Sequence, residues 1–133
     1  MGLHVAQYTL DVTDLELMAG FWSAALGYRV DSGGDGSAKL YPPPDSPPES
    51  PTVWLQGSGT PKHGKNRLHL DLVADGDPAA EIRRLIGLGA RHADVGQRGD
   101  EGFVVLVDPE DNEFCVLDRS PHRRPPAGRV SPG

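Results

Sequence analysis

Thr9-Leu10-Asp11-Val12, near the start of the chain, is echoed by His69-Leu70-Asp71-Leu72 about sixty residues later. Each tetrapeptide is followed by the same kind of helix. After the first, Asp14 is a natural N-cap, and Leu15, Met18, Trp22 and Ala25 or Leu26 recur at helical spacing until Gly27 offers a left-handed stop. After the second, Asp77 caps and Pro78 opens the helix, Ile82, Leu85 and Ile86 form the apolar stripe, and Gly87 or Gly89 ends it. The helix endings also correspond, Ala25-Leu26-Gly27-Tyr28-Arg29-Val30 against Ile86-Gly87-Leu88-Gly89-Ala90-Arg91. The chain therefore reads as a duplication.

Beyond each helix the apolar period shortens to two, placing short strands near 28–31, 39–41 and 52–56, then 103–108 and 113–117. The run Pro42-Pro43-Pro44-Asp45-Ser46-Pro47-Pro48-Glu49-Ser50-Pro51 lacks the amide donors a sheet needs and is predicted to be an exposed loop. Residues 57–65 read as the linker between halves, and 119–133, without apolar periodicity, as a disordered tail. The predicted fold is α+β: one domain over 1–118, with halves at about 5–57 and 66–118, each a βαβββ module. The two modules form a curved mixed sheet around a central cleft, with helices on the outer face. Strand alternation turns Tyr8, Leu10 and Val12, and likewise Leu68, Leu70 and Leu72, toward the helices. Gln7, Thr9, Asp11, His69 and Asp71 then face the cleft.

The 133 residues suffice for one core, and the formal net charge of −6 comes from scattered acidic residues rather than runs. No basic stripe suits a nucleic acid, and no apolar run spans a bilayer. A single cysteine, Cys115, excludes an internal disulfide and fits a reducing compartment; with no apolar signal segment at the start, a cytoplasmic protein is expected.

Four stretches carry a resemblance: Tyr8-Thr9-Leu10-Asp11-Val12-Thr13-Asp14; Phe21-Trp22 through Leu26-Gly27-Tyr28; Lys65-Asn66-Arg67-Leu68-His69-Leu70-Asp71-Leu72; and Asp108-Pro109-Glu110-Asp111-Asn112-Glu113-Phe114. In order and spacing they resemble the vicinal oxygen chelate superfamily. That superfamily includes glyoxalase I, bleomycin-resistance proteins, fosfomycin-resistance enzymes and extradiol dioxygenases. More narrowly, they resemble the glyoxalase-like branch common in actinobacteria. In metal-using members, ligands from both halves converge on a divalent ion that binds two adjacent substrate oxygens. The resemblance places these ligands at Gln7 (or Thr9, by direct offset from His69), at or near Gln56, at His69 and at Cys115, where the family has Glu. Glu113 has the strand parity of Cys115 and replaces it if a bulge shifts the register.

Gln, Gln, His and Cys supply one imidazole, two neutral amides and a thiol that binds metal only as thiolate, so no metal or other cofactor is assigned. Trp54 shares the parity of Gln56 and is expected to wall the cleft, whereas Trp22 belongs to the helix stripe and the core. Cys115 lies in an apolar strand, where a thiol is buried and inert, and the matched Asp11 and Asp71 suit bonds to backbone amides. The leading expectation is a small organic molecule bound in the cleft by Gln7, Trp54, Gln56, His69, Glu113 and Cys115, in a homodimer as the resemblance implies. Two alternatives stand beside it. One is a glyoxalase-type lyase, isomerase or dioxygenase with a divalent metal anchored on His69. The other is an antibiotic-sequestering resistance protein that uses a dimer crevice.

Overall fold

The computed structural model describes residues 2–32, 34–93 and 102–118. The elements run β1 (Gln7–Val12), α1 (Leu15–Leu26), β2 (Arg29–Ser32), β3 (Ser37–Tyr41), β4 (Thr52–Gly57), β5 (Leu70–Val73), α2 (Pro78–Leu88), β6 (Arg91–His92), β7 (Phe103–Val107) and β8 (Glu113–Leu117). They build two four-stranded mixed sheets, β1-β4-β3-β2 and β5-β8-β7-β6. In each sheet the first strand pairs in parallel with the last, and the other pairs are antiparallel. The same path is traced twice, as the repeated tetrapeptide predicts. The Pro-rich 42–51 segment joins β3 to β4 outside the sheet and is largely exposed. Residues 119–133 lie outside the described residues.

Both helices start and stop where the sequence signals stand. The Asp14 carboxylate accepts the Leu17 amide at 3.1 Å, and Gly27, at φ 71°, closes α1 in the left-handed conformation that costs glycine little. Asp77 accepts the Ala80 amide at 3.3 Å, Pro78 occupies the first turn of α2, and Gly89 follows its last residue. Alternation along the strands then sorts the side chains. Val12, Leu40 and Leu55 from the first sheet share one core with Leu106, Phe114 and Val116 from the second, together with Met18, Phe21 and Trp22 of α1 and Leu85 of α2. Trp22 stands edge-on to Phe114 with ring centroids 5.1 Å apart, so the aromatic contact crosses from one half to the other. Leu68 departs from the alternation expected of it. β5 begins only at Leu70, and Leu68, in the irregular segment before it, is 76% exposed.

The halves are clasped by the turn between β7 and β8. Asp108 is fully buried and accepts four N–H groups: the Trp22 indole at 3.0 Å, the Glu110 amide at 2.9 Å, and the Asn112 amide and carboxamide at 3.0 Å. Asp111 takes φ 70°, which Asp tolerates in a turn, and its carboxylate pairs with Arg91. Glu110 reaches back to the other half, accepting the Thr13 amide at 2.8 Å and the Asp14 amide at 2.6 Å. This is the bond a capping-box glutamate makes to its own N-cap, supplied here from the opposite end of the chain. At the far end of α1, Arg84 of α2 donates to the Ala24 and Ala25 carbonyls at 3.0 Å, placing positive charge where α1 has none of its own. Gly89 also permits close approach, since a Cβ there would lie 3.3 Å from the Pro109 ring and the backbone is at φ 126°.

Replacing Glu110 leaves the Thr13 and Asp14 amides without their acceptor. Glu110→Ala is expected to lower the free energy of unfolding by about 1–2 kcal/mol in urea titrations. Glu16→Ala, on the exposed face of the same helix, is expected to stay within about 0.5 kcal/mol of the parent.

Candidate functional site

β1 is one edge of the first sheet and β5 one edge of the second, and a gap is lined by both β1 and the chain that links the sheets. That gap is a cleft of about 630 Å³. Its apolar lining comes from Trp22 and Leu26 of α1, Val53 of β4 and Phe114 of β8. One wall is β1, with Gln7, Thr9 and Asp11; the opposite wall is the connecting segment, with Lys62, His63, Asn66, Arg67 and His69; and Glu110, Asn112 and Glu113 also line it. An apolar lining with a rim of hydrogen-bonding groups is the usual make-up of a small-molecule site.

The connecting segment is held in place by polar contacts. Lys62 pairs with Glu113 at 3.2 Å and also donates to the Gly64 carbonyl. The Asn66 backbone amide reaches Glu113 at 3.3 Å, and its side-chain amide donates to Asn112 at 2.9 Å. Burial pushes the Glu113 carboxyl up, but its own amide, the Asn66 amide and the Lys62 ammonium outweigh this and hold it below the usual carboxylate range. Asp108 shows the opposite balance: burial raises it above that range, although Asn112, Trp22 and Glu110 all donate to it.

Gln7, His69 and Glu113 line the cleft, whereas Trp54, Gln56 and Cys115 are not among the residues that do. Trp54 and Gln56 alternate with the buried Val53 and Leu55, which puts them on the sheet face turned away from α1, with Trp54 opposite Thr9 and Lys39. The Gln7 amide oxygen accepts the Thr52 hydroxyl at 2.9 Å. Cys115 is buried at 5% exposure, and its thiol is pushed up to about 11, chiefly by burial and further by the Asp71 carboxylate, with Lys65 opposing. It is a neutral thiol. Asp71 was expected to hold a backbone amide; its carboxylate instead lies 3.2 Å from His69 Nε2 and accepts from the Cys115 thiol.

Sequence reasoning did not single out Tyr8, Lys62, Asn66, Arg67 or Phe114 as cleft residues, and it assigned Trp22 to the core alone. Trp22 is both buried and part of the cleft lining. The overlooked signal lay in the linker: Lys62, His63, Lys65, Arg67 and His69 crowd the basic side chains of an acidic chain into one short segment.

The profile of the Glyoxalase-like domain family matches residues 7–117. The chain belongs to that family. No curated protein matches it. Among solved structures, the glyoxalase-like domain is similar to a glyoxalase/bleomycin resistance protein/dioxygenase family enzyme from Burkholderia phytofirmans, at TM-score 0.63 and 15% identity over 84% of this chain and 94% of that one. It is also similar to the fosfomycin resistance protein FosX from Mesorhizobium loti, at TM-score 0.68 and 16% identity over 91% and 95% of the two chains. A mutant FosX from Listeria monocytogenes, complexed with Mn(II) and 1S,2S-dihydroxypropylphosphonic acid, matches at TM-score 0.69 and 13% identity over 91% and 94%. At these identities the likeness is one of fold.

A metal site of the kind the superfamily resemblance implies would draw donors from both halves, at Gln7, Gln56, His69 and Cys115. The residues do not fit a carboxylate-rich site for a hard cation. Gln56 and Cys115 stand outside the cleft lining, Gln7 already accepts from Thr52, and Glu113 is engaged by Lys62 and Asn66.

The Glu113 contacts carry a definite pH dependence. Its folded value lies below the unfolded one, so its contribution to stability is present above the unfolded value and is lost as pH falls through the folded value. Glu113→Gln is therefore expected to flatten part of the acid-side fall in the urea midpoint. An unchanged acid limb would show that the pairing contributes nothing.

Proposed function

We propose that this glyoxalase-like domain binds a small organic molecule in the cleft between its two sheets, with no metal ion in the cleft, and that it does so as a cytoplasmic homodimer of the actinobacterial type. The supporting observation is the cleft itself. At about 630 Å³ it lies within the size range of small-molecule sites, roughly 300–1,000 Å³. Tyr8, Leu10 and Leu26, half-buried in the lining, offer apolar surface to an apolar body, and Gln7, Asn66 and Arg67 offer polar contacts at the walls. Arg67 makes no ion pair among the described residues, so its guanidinium is free to receive a carboxylate, phosphonate or carbonyl end of the ligand. The favoured ligand has an apolar body and one anionic or strongly accepting end. No described helix is long and apolar enough to cross a membrane.

A thermal-shift screen of small organic acids and antibiotics tests this reading, because a ligand at a hundred times its dissociation constant adds about 2.7 kcal/mol to stability. Titration calorimetry on the hits is expected to show about tenfold weaker binding for Arg67→Ala. The same titration with Lys39→Ala, whose side chain is not in the cleft lining, is expected to match the parent. A screen without hits, or hits equally tight in Arg67→Ala, would contradict the proposal.

A further inference from the structure

Most of the carboxylate, lysine and arginine side chains that line the cleft are already matched. Lys62 pairs with Glu113 at 3.2 Å, and the Glu110 carboxylate accepts the Thr13 and Asp14 amides. Asp11 and Arg67 are not. Both are exposed in the lining, and among the described residues neither side chain forms an ion pair or a hydrogen bond, with each other or with a third group. Their backbones are nonetheless fixed. Asp11 is locked in β1, opposite Gln56 in the parallel pairing with β4. Arg67 follows Asn66, whose backbone and side-chain amides are held by Glu113 and Asn112.

The duplication shows what an aspartate at this place does when its own half supplies partners. Asp71, at the matching position of β5, lies 3.2 Å from His69 and accepts from the Cys115 thiol. In the first half Thr9 stands two residues before Asp11, as His69 does before Asp71, and Gln56 is opposite Asp11, as Cys115 is opposite Asp71. Neither bonds to Asp11. One copy of the aspartate is engaged within its half, and the other is left open to the cleft.

We infer that the cleft takes a zwitterionic ligand: an apolar body with a carboxylate or phosphonate end that meets Arg67 and an ammonium end that meets Asp11. The inference rests on the cleft as the binding site. Arg67 offers a planar fork of N–H donors to an oxyanion, and Asp11 offers an acceptor to the N–H donors of an ammonium group. A ligand with an anionic end alone would leave the Asp11 charge unmatched beside it, whereas an ammonium group on the same molecule turns that repulsion into an attraction. Tyr8, Leu10 and Leu26, half-buried in the same lining, cover the stretch of ligand between its charged ends. With both backbones already held, little ordering of the protein opposes binding.

The test titrates the whole chain calorimetrically with millimolar probes of one carbon skeleton that differ only in their ends: hexanoate, hexylamine and ε-aminohexanoate. The shorter γ-aminobutyrate and the longer ω-aminooctanoate, each with its own acid and amine, then vary the span. The best-fitting amino acid is expected to bind about fivefold tighter than the acid or the amine of its own length. Asp11→Asn is expected to remove that advantage, and Arg67→Ala to weaken the amino acid and the acid alike. Asp31→Asn, at an exposed carboxylate outside the cleft lining, is expected to retain it, which separates a direct contact from a change in net charge. An amino acid no tighter than its matching acid would overturn the inference, and so would an advantage that survives Asp11→Asn. Acids that bind through Arg67 with no gain from the amine would overturn it while leaving the cleft reading in place. Absence of binding by every probe would overturn it too, and the cleft reading then stands or falls on its own wider screen.

Discussion

The buried carboxylate of Asp108 is the point on which the two halves are joined. A carboxylate removed from water without partners costs several kcal/mol, and N–H groups aimed at it offset much of that cost, although burial still holds Asp108 above the usual carboxylate range. Asp108 collects four such groups, and one of them, the Trp22 indole, belongs to the opposite half. The carboxylate therefore shapes its own turn and ties that turn to α1. Glu110, two residues on, could not reach the α1 N-terminus if the turn opened, and Phe114, just beyond, would lose its edge-on contact with Trp22.

The cleft follows from the same constraint. Trp22 and Phe114 contribute to its apolar lining, and Glu110, Asn112 and Glu113 to its polar wall, so the turn that clasps the halves also shapes the cavity between them. The connecting segment closes the other side because Lys62 and Asn66 anchor it to Glu113 and Asn112. Parallel pairing at β5 and β8 has a separate outcome on the outward sheet face, where Asp71 and Cys115 are brought side by side with His69 beside them.

Much of this was legible in the residues. Local signals set the helices: Asp14 and Gly27, Asp77 and Pro78 act within a turn of themselves, and each is found in its predicted role. The duplication was readable because Leu10-Asp11 and Leu70-Asp71 sit in equivalent strands at equivalent sheet edges. Strand parity correctly separated Val12 from Asp11. It could not locate the cleft, because parity says which face a side chain takes and not what covers that face. Trp54 and Gln56 share a face with Gln7, yet only Gln7 stands on the edge strand beside the connecting segment. Trp22 illustrates the converse: its helical spacing announced a core residue, and its place against Asp108 and the cavity depends on a residue far along the chain. Asp108-Pro109-Glu110-Asp111-Asn112 was readable as a turn, while its clasping role rests on contacts that sequence distance conceals.

Trp22 and Asp108 couple the two halves directly. A double-mutant cycle with Trp22→Phe, Asp108→Asn and the double variant, followed by urea unfolding, measures that coupling. Trp22→Phe removes the donor together with part of the indole's packing, a loss the cycle cancels because it occurs in both the single and the double variant, and Asp108→Asn replaces one acceptor oxygen with a donor. The account predicts a coupling energy of about 1–3 kcal/mol between the sites. Additive effects, within about 0.5 kcal/mol, would contradict it.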